Sequence, residues 1–148
     1  MKTCLVALLW LCLAAQQAAA DNGLIRKQSR YSVQETTDRL EARIKETGRT
    51  IWARIDFKAA AEKGDALRPN QLVIFGRGGA LQPFLSRAST SGIDLPQKIL
   101  VFENDQGEVW MVANTAEYVA ERHGITGIPS LINGVNKLHA SLMDPLAK

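Results

Sequence analysis

The chain has 148 residues, 46% hydrophobic and 22% charged, with a net charge of +3 and two cysteines. So small a charge excludes an electrostatic nucleic-acid binder, which needs a basic stripe to neutralise phosphates. The length favours one domain large enough to bury a core without staples.

Residues 1–20, MKTCLVALLWLCLAAQQAAA, carry one lysine (Lys2), an apolar stretch from Cys4 to Ala15, and small residues at Ala18 and Ala20. That order predicts a secretory leader cleaved after Ala20. The apolar stretch is shorter than the roughly 20 residues a bilayer crossing takes. Cys12 follows Leu9, Trp10 and Leu11, not the small residues of a lipid-anchoring signal. The expectation is an exported, periplasmic protein, a single domain over 21–148, with no membrane anchor after cleavage. Cys4 and Cys12 leave with the leader, so the mature chain has no disulfide, thiolate nucleophile or cysteine metal ligand.

Leu24 to Tyr31 predicts a first strand. SVQETTDRLEARIKETG then predicts a helix: Ser32 and Glu35 form a capping box, and Val33, Thr37, Leu40 and Ile44 share one face. Glu35–Arg39 and Glu41–Lys45 are i,i+4 pairs worth about 0.3–0.5 kcal/mol each, and Gly48 is placed for a left-handed cap. TIWARIDF alternates, with Ile51, Ala53, Ile55 and Phe57 pointing one way and Trp52, Arg54 and Asp56 the other. KAAAEKG predicts a short helix capped by Asp56. Arg68-Pro69-Asn70 turns into QLVIF, a continuous apolar run suited to a central strand. IFGRGG leads into ALQPFLSRAS, a helix with Pro83 expected near its start, because an interior proline costs about 3 kcal/mol. After the turn GIDLP, KILVFENDQGEVWMVA predicts a hairpin bent at Asn104 to Gly107. NTAEYVAERHG predicts a helix boxed by Asn114 and Glu117 and stopped by Gly124. Leu131, Ile132, Val135, Leu138 and Leu142 predict a tail helix. The fold class is α+β: a mixed, largely antiparallel sheet with helices packed on it.

Several segments, in chain order, resemble one family. They are Tyr31-Ser32-Val33 with Glu35-Thr36, Arg39-Leu40, Ala53-Arg54-Ile55-Asp56, Pro69, Ile74-Phe75-Gly76, Asp94-Leu95-Pro96, and Tyr118 with Ala120-Glu121-Arg122-His123. The set resembles the family known as domain of unknown function 302, over about 24–125, with 126–148 as a C-terminal helical extension. The resemblance implies a compact TATA-binding-protein-like fold paired as a homodimer, and it implies no reaction. Two positions depart from the family pattern. Phe57 stands where a histidine often follows the Ile-Asp pair, and Gly76-Arg77-Gly78 stands where Gly-Asn-Pro is common. The first removes a ligand or base; the second loosens the turn and adds a positive charge.

IFGRGG does not match a phosphate-binding fingerprint, since the sixth position from Gly76 is Leu81 and no Gly-Lys-Ser/Thr follows. A generic anion site formed by Gly76, Arg77, Gly78 and Gly79 at a helix start is one reading. A tight turn with a solvated Arg77 is the preferred one. His123 sits at a helix end, where a cationic side chain eases free carbonyls by about 0.3–1 kcal/mol, and His139 is expected on the surface. Asp56 is the best acid/base residue, with the N-cap role preferred. Trp52 and Trp110 are expected in a core or dimer interface. No catalytic residue, cofactor or metal is assigned. The expectation is an exported homodimeric module, non-catalytic, binding a small anionic ligand or a protein partner. Its ligand candidates are Asp56, Gly76, Arg77, Gly78, Gly79 and His123. The alternative is an enzyme at the dimer cleft using Asp56 with Arg77 or His123 on an anionic substrate.

Overall fold

The computed structural model describes residues 22–61 and 67–148. The leader with its two cysteines lies outside the described residues, as does the end of the KAAAEKG segment. The described residues form five strands and five α-helices. Strand β1 is Leu24–Gln28, shorter than expected. It stops at Ser29, which is buried and turns its hydroxyl to Thr36 Oγ1 at 2.7 Å. Helix α1 is Val33–Glu46, and its cap forms as the sequence predicts: Ser32 Oγ accepts from the Glu35 N–H at 3.2 Å. The box closes on one side only, because the Glu35 carboxylate pairs with Arg39 at 2.8 Å. Glu41 does not join Lys45; it lies 3.6 Å from Arg54, on the sheet face that this helix covers. Gly48 takes φ of 68° just after the helix, as its position requires.

Strand β2 (Thr50–Asp56) pairs antiparallel with β3 (Asn70–Gly76), and the register shifts between Ile51 and Ala53. Trp52 is the extra residue of that bulge, which reverses the alternation beyond it. Ile51, Arg54 and Asp56 therefore face the α1 side, opposite Phe75, Val73 and Gln71. The simple alternation of TIWARIDF is corrected accordingly. Helix α2 is one turn, Phe57–Ala60, capped by Asp56.

Helix α3 (Gly78–Leu85) begins at the two glycines, earlier than expected, so Pro83 falls inside it. The carbonyl that loses its partner is that of Gly79, which is exposed and so open to solvent. A 3-10 turn at Ser89–Ile93 precedes β4 (Gln97–Glu103), and β5 (Val109–Asn114) follows the bend. Helix α4 is Ala116–Arg122. Its cap is Thr115, whose hydroxyl accepts from the Tyr118 N–H at 3.1 Å, because Asn114 is still in β5 opposite Leu24. Helix α5 is Pro129–Met143.

The sheet order is β1-β5-β4-β3-β2, and every pairing is antiparallel. Helices α1 and α5 cover one face. Leu40, Ile44, Phe75, Ile99, Leu142 and Met143 are among its fully or almost fully buried residues. Each such side chain contributes about 1.5–3 kcal/mol through burial. Helix α5 thus belongs to the main core. A second apolar cluster joins Phe84 of α3, Val119 and Ala120 of α4, and Ile125 and Ile128 of the loop before α5. Among the described residues no helix is long and apolar enough to cross a membrane.

Candidate functional site

The β4–β5 ladder runs from Glu103 opposite Val109 to Leu100 opposite Val112 and stops there. Beyond that rung, Gln97 to Ile99 stay paired with β3, while Ala113 and Asn114 stay paired with β1. Each strand follows its outer neighbour, and the two part. A cavity of 310 Å³ occupies the split. Phe84, Val119 and Val135 wall it from α3, α4 and α5, and Leu72, Leu100 and Val112 from the sheet face that α1 and α5 do not cover.

Its polar lining comes from Asp94, Gln97 and Lys98 at the start of β4, from Asn114 and Thr115 at the end of β5, and from His139. Lys98 Nζ donates to the carbonyls of Asp94 and Pro96, at 2.9 and 3.2 Å. Burial lowers the pKa of this ammonium, opposed by the Asp94 charge. The Asp94 carboxylate is itself taken up: Arg122 Nη1 donates to Oδ1 at 3.2 Å, and His123 Nε2 lies 2.7 Å from Oδ2. His123 Nδ1 lies 3.0 Å from Thr90 Oγ1, so one row of contacts ties the 3-10 turn, the entry to β4 and the end of α4. His139, on α5, is 2% exposed and lines the cavity. Neither of its ring nitrogens meets a protein partner. Burial, and then the nearby charge of Arg49, push its pKa from 6.5 down to about 4, so the ring is neutral at pH 7. The expected surface position of His139 is corrected. Gln97 Oε1 is buried and likewise has no partner.

The residues singled out in the sequence divide between the ends of the sheet. Asp56 caps α2, accepting from the Ala59 N–H at 2.9 Å and from Gln71 Nε2 at 2.8 Å. The Ala59 bond first, then Gln71, lowers its pKa. The register puts Asp56 opposite Gln71 and Gly76 opposite Thr50, so Asp56 and the Gly76–Gly79 turn lie at opposite ends of the β2–β3 pair. Arg77 donates to the Thr47 carbonyl at 3.3 Å. With Arg49 and Gly76 it lines a second cavity of 200 Å³, which shares Gln97 and Val135 with the first. Desolvation, then Arg77, lowers the pKa of Arg49. Gly78 and Gly79 open α3 with free space around them. A Cβ at Gly76 would stand 3.1 Å from the Trp52 ring, which would have to give by a small shift to accept it. His123 contacts Asp94, which lines the larger cavity, but does not line it itself.

The sequence reading missed Asp94, Gln97, Lys98 and His139 as site residues. Two signals were available. Asp94-Leu95-Pro96 and Glu121-Arg122-His123 both belong to the segments that carry the resemblance, and the fold brings them into contact. His139 follows Val135 by four and precedes Leu142 by three, which is the spacing of the buried stripe.

An antiparallel sheet of this order, backed on one face by two helices and split at one end over a cavity, defines a small α+β architecture. Residues 25–146 match the family described as Domain of unknown function DUF302, and the chain belongs to that family. A solved structure of an uncharacterized conserved DUF302 protein from Bacillus stearothermophilus has a TM-score of 0.63 at 15% identity, covering 84% of this chain and 96% of that one. It shares the fold. Among curated relatives, Fluoride-specific ion channel FluC 1 of Brucella suis biovar 1 is 37% identical over 106 residues, 71% of this chain and 42% of that protein. Fluoride-specific ion channel FluC 2 of Brucella melitensis biotype 1 is 37% identical over 106 residues, 71% of this chain and 39% of its own length. The chain therefore spans about two fifths of the length of these relatives.

Proposed function

We propose that the chain is an exported, homodimeric accessory domain, non-catalytic, that holds a small and mostly apolar molecule in the split between β4 and β5. The observation that carries this reading is the 310 Å³ cavity. Small-molecule sites are typically about 300–1,000 Å³, apolar over most of their wall, with a few placed polar groups. The titratable groups here are engaged in ways that suit binding better than turnover. His139 has no group to orient it as a base. The Thr90–His123–Asp94 row follows the hydroxyl–imidazole–carboxylate order of acyl-transfer enzymes. Its carboxylate, however, is shared with Arg122, and the row joins three chain segments. We read it as a structural tie.

Two further features support the wider reading. Strand β2 is a sheet edge, and Trp52 and Phe57 on or beside it are 44% and 40% exposed. An apolar edge with unpaired backbone groups favours pairing with a second copy. The Brucella relatives carry a stretch like this one within proteins named as ion channels, which favours a membrane transport protein as the partner class. Native mass spectrometry on the exported fraction tests the proposal. The expected species is a dimer of residues 21–148 carrying a small molecule that departs on denaturation. A bare monomer retaining residues 1–20 contradicts it.

A further inference from the structure

The cavity has a direction. Leu72, Leu100 and Val112 form its apolar end on the uncovered sheet face, while Gln97, Lys98 and His139 form its polar end where the strands part. Gln97 and Lys98 are neighbours on β4 and point to opposite sides of the sheet. Both reach the same cavity because β5 is absent from beside them at that level.

The charge at the polar end is positive. Asp94 also lines the cavity, but its two oxygens are occupied by Arg122 and His123. Lys98 gives two of its three N–H groups to carbonyls, which leaves one donor, and the nearby Asp94 charge is shared with Arg122. A second positive charge, Arg49, lies near enough to His139 to disfavour its protonated form. The neutral imidazole offers one donor and one acceptor, and neither is used within the protein. A buried polar atom without a partner costs about 1–3 kcal/mol, so a ligand that supplies the partner recovers that loss on binding.

We propose that the occupant is an apolar monocarboxylate, its carboxylate set in the strand split between Lys98 and His139 and its hydrocarbon body lying over Leu72, Leu100 and Val112. This rests on the ligand-binding reading above and specifies its chemistry. The carboxylate accepts from the free Lys98 N–H and from the imidazole N–H. Gln97 presents its amide nitrogen to the same group after rotation about its last side-chain torsion, which exchanges the two ends of the amide. The volume suits a body on the order of ten non-hydrogen atoms. No bond is made or broken.

The test is isothermal titration of the full processed chain with three probes of equal length, octanoate, octan-1-ol and octylamine, at pH 7.5. Octanoate is expected to bind at least about tenfold more tightly than the other two, equivalent to about 1.4 kcal/mol. Lys98→Met is expected to remove that preference while leaving octan-1-ol unchanged, and His139→Leu to weaken octanoate alone. Should Lys98→Met fail to fold, judged by its circular dichroism, Lys98→Gln takes its place. Octylamine or octan-1-ol binding as tightly as octanoate overturns the carboxylate assignment and leaves the cavity as a binding site. Octanoate binding that survives both substitutions but is lost in Arg77→Ala also overturns it, by moving the anion to the smaller cavity. Failure of all three probes to bind overturns both the class and the ligand-binding reading beneath it.

Discussion

His139 makes the protein acid-sensitive in a defined window. Its ring takes up a proton at pH 6.5 in an exposed setting but only at about 4 in the fold, where burial and Arg49 oppose the charge. The folded value is the lower one, so the unfolded chain binds the extra proton between those limits. Stability is therefore complete above pH 6.5 and falls as pH drops toward 4, by about 3 kcal/mol in all. Asp38, Asp56 and Glu108, whose pKa values lie below the ordinary 3.8 or 4.5, add losses as pH falls through those ordinary values. In urea titrations at a series of pH values, His139→Leu should abolish the slope at the upper end of the window from 6.5 to 4, above the carboxylate range. A variant keeping the wild-type slope would contradict the buried neutral ring. At this scale the sequence was legible where the interaction is local. Ser32 and Asp56 cap helices as their spacing says, because an N-cap bond spans three residues. Asp94 and His123 meet across 29 positions, which no local pattern can announce. His139 was misplaced because its polar character was allowed to outweigh a helical spacing that was correct.

Among elements, the entry of β1 into the sheet depends on one glycine. Gly23 has φ of 73°, and a Cβ there would run into the Tyr118 ring of α4. Its carbonyl also accepts from the Thr115 N–H at 2.7 Å, tying β1 to the α4 cap. Gly107, at the β4–β5 bend, has a similar φ of 74° but nothing within 4 Å of the added atom. Gly107→Ala should then lose about 1 kcal/mol, from backbone strain alone, and Gly23→Ala at least about 2 kcal/mol, from strain plus overpacking. Equal losses in denaturant unfolding would mean that Tyr118 yields and the β1–α4 contact is loose. Element order and type were readable because helical and alternating periods are strong over ten or more residues. The bulge at Trp52 was not readable. A single inserted residue leaves the composition of TIWARID unchanged and shows only in the register against β3. The start of α3 was misjudged for a related reason: Pro83 is tolerated there because the orphaned Gly79 carbonyl is exposed, and exposure is a tertiary property.

For the whole molecule, the cavity follows from topology more than from any motif. Strands β4 and β5 are consecutive and hairpin-linked, yet each is claimed at its far end by a different outer neighbour, β3 or β1. The second apolar cluster closes over the gap, and the residues that give the gap its polarity come from β4 and α5. Sequence segments could point to the neighbourhood, through Asp94-Leu95-Pro96 and Arg122-His123, but not to the split. The glycine-rich turn that looks most like chemistry lies beside the smaller cavity. Backbone amide shifts of the nitrogen-15-labelled chain, followed during titration with octanoate, test the central claim most directly. The account predicts saturable shifts concentrated at Lys98, Ile99, Ala113, Asn114, Val135 and His139, on both sides of the strand split. Shifts confined to Arg49 and the Gly76–Gly79 turn, or none at saturating octanoate, would contradict it.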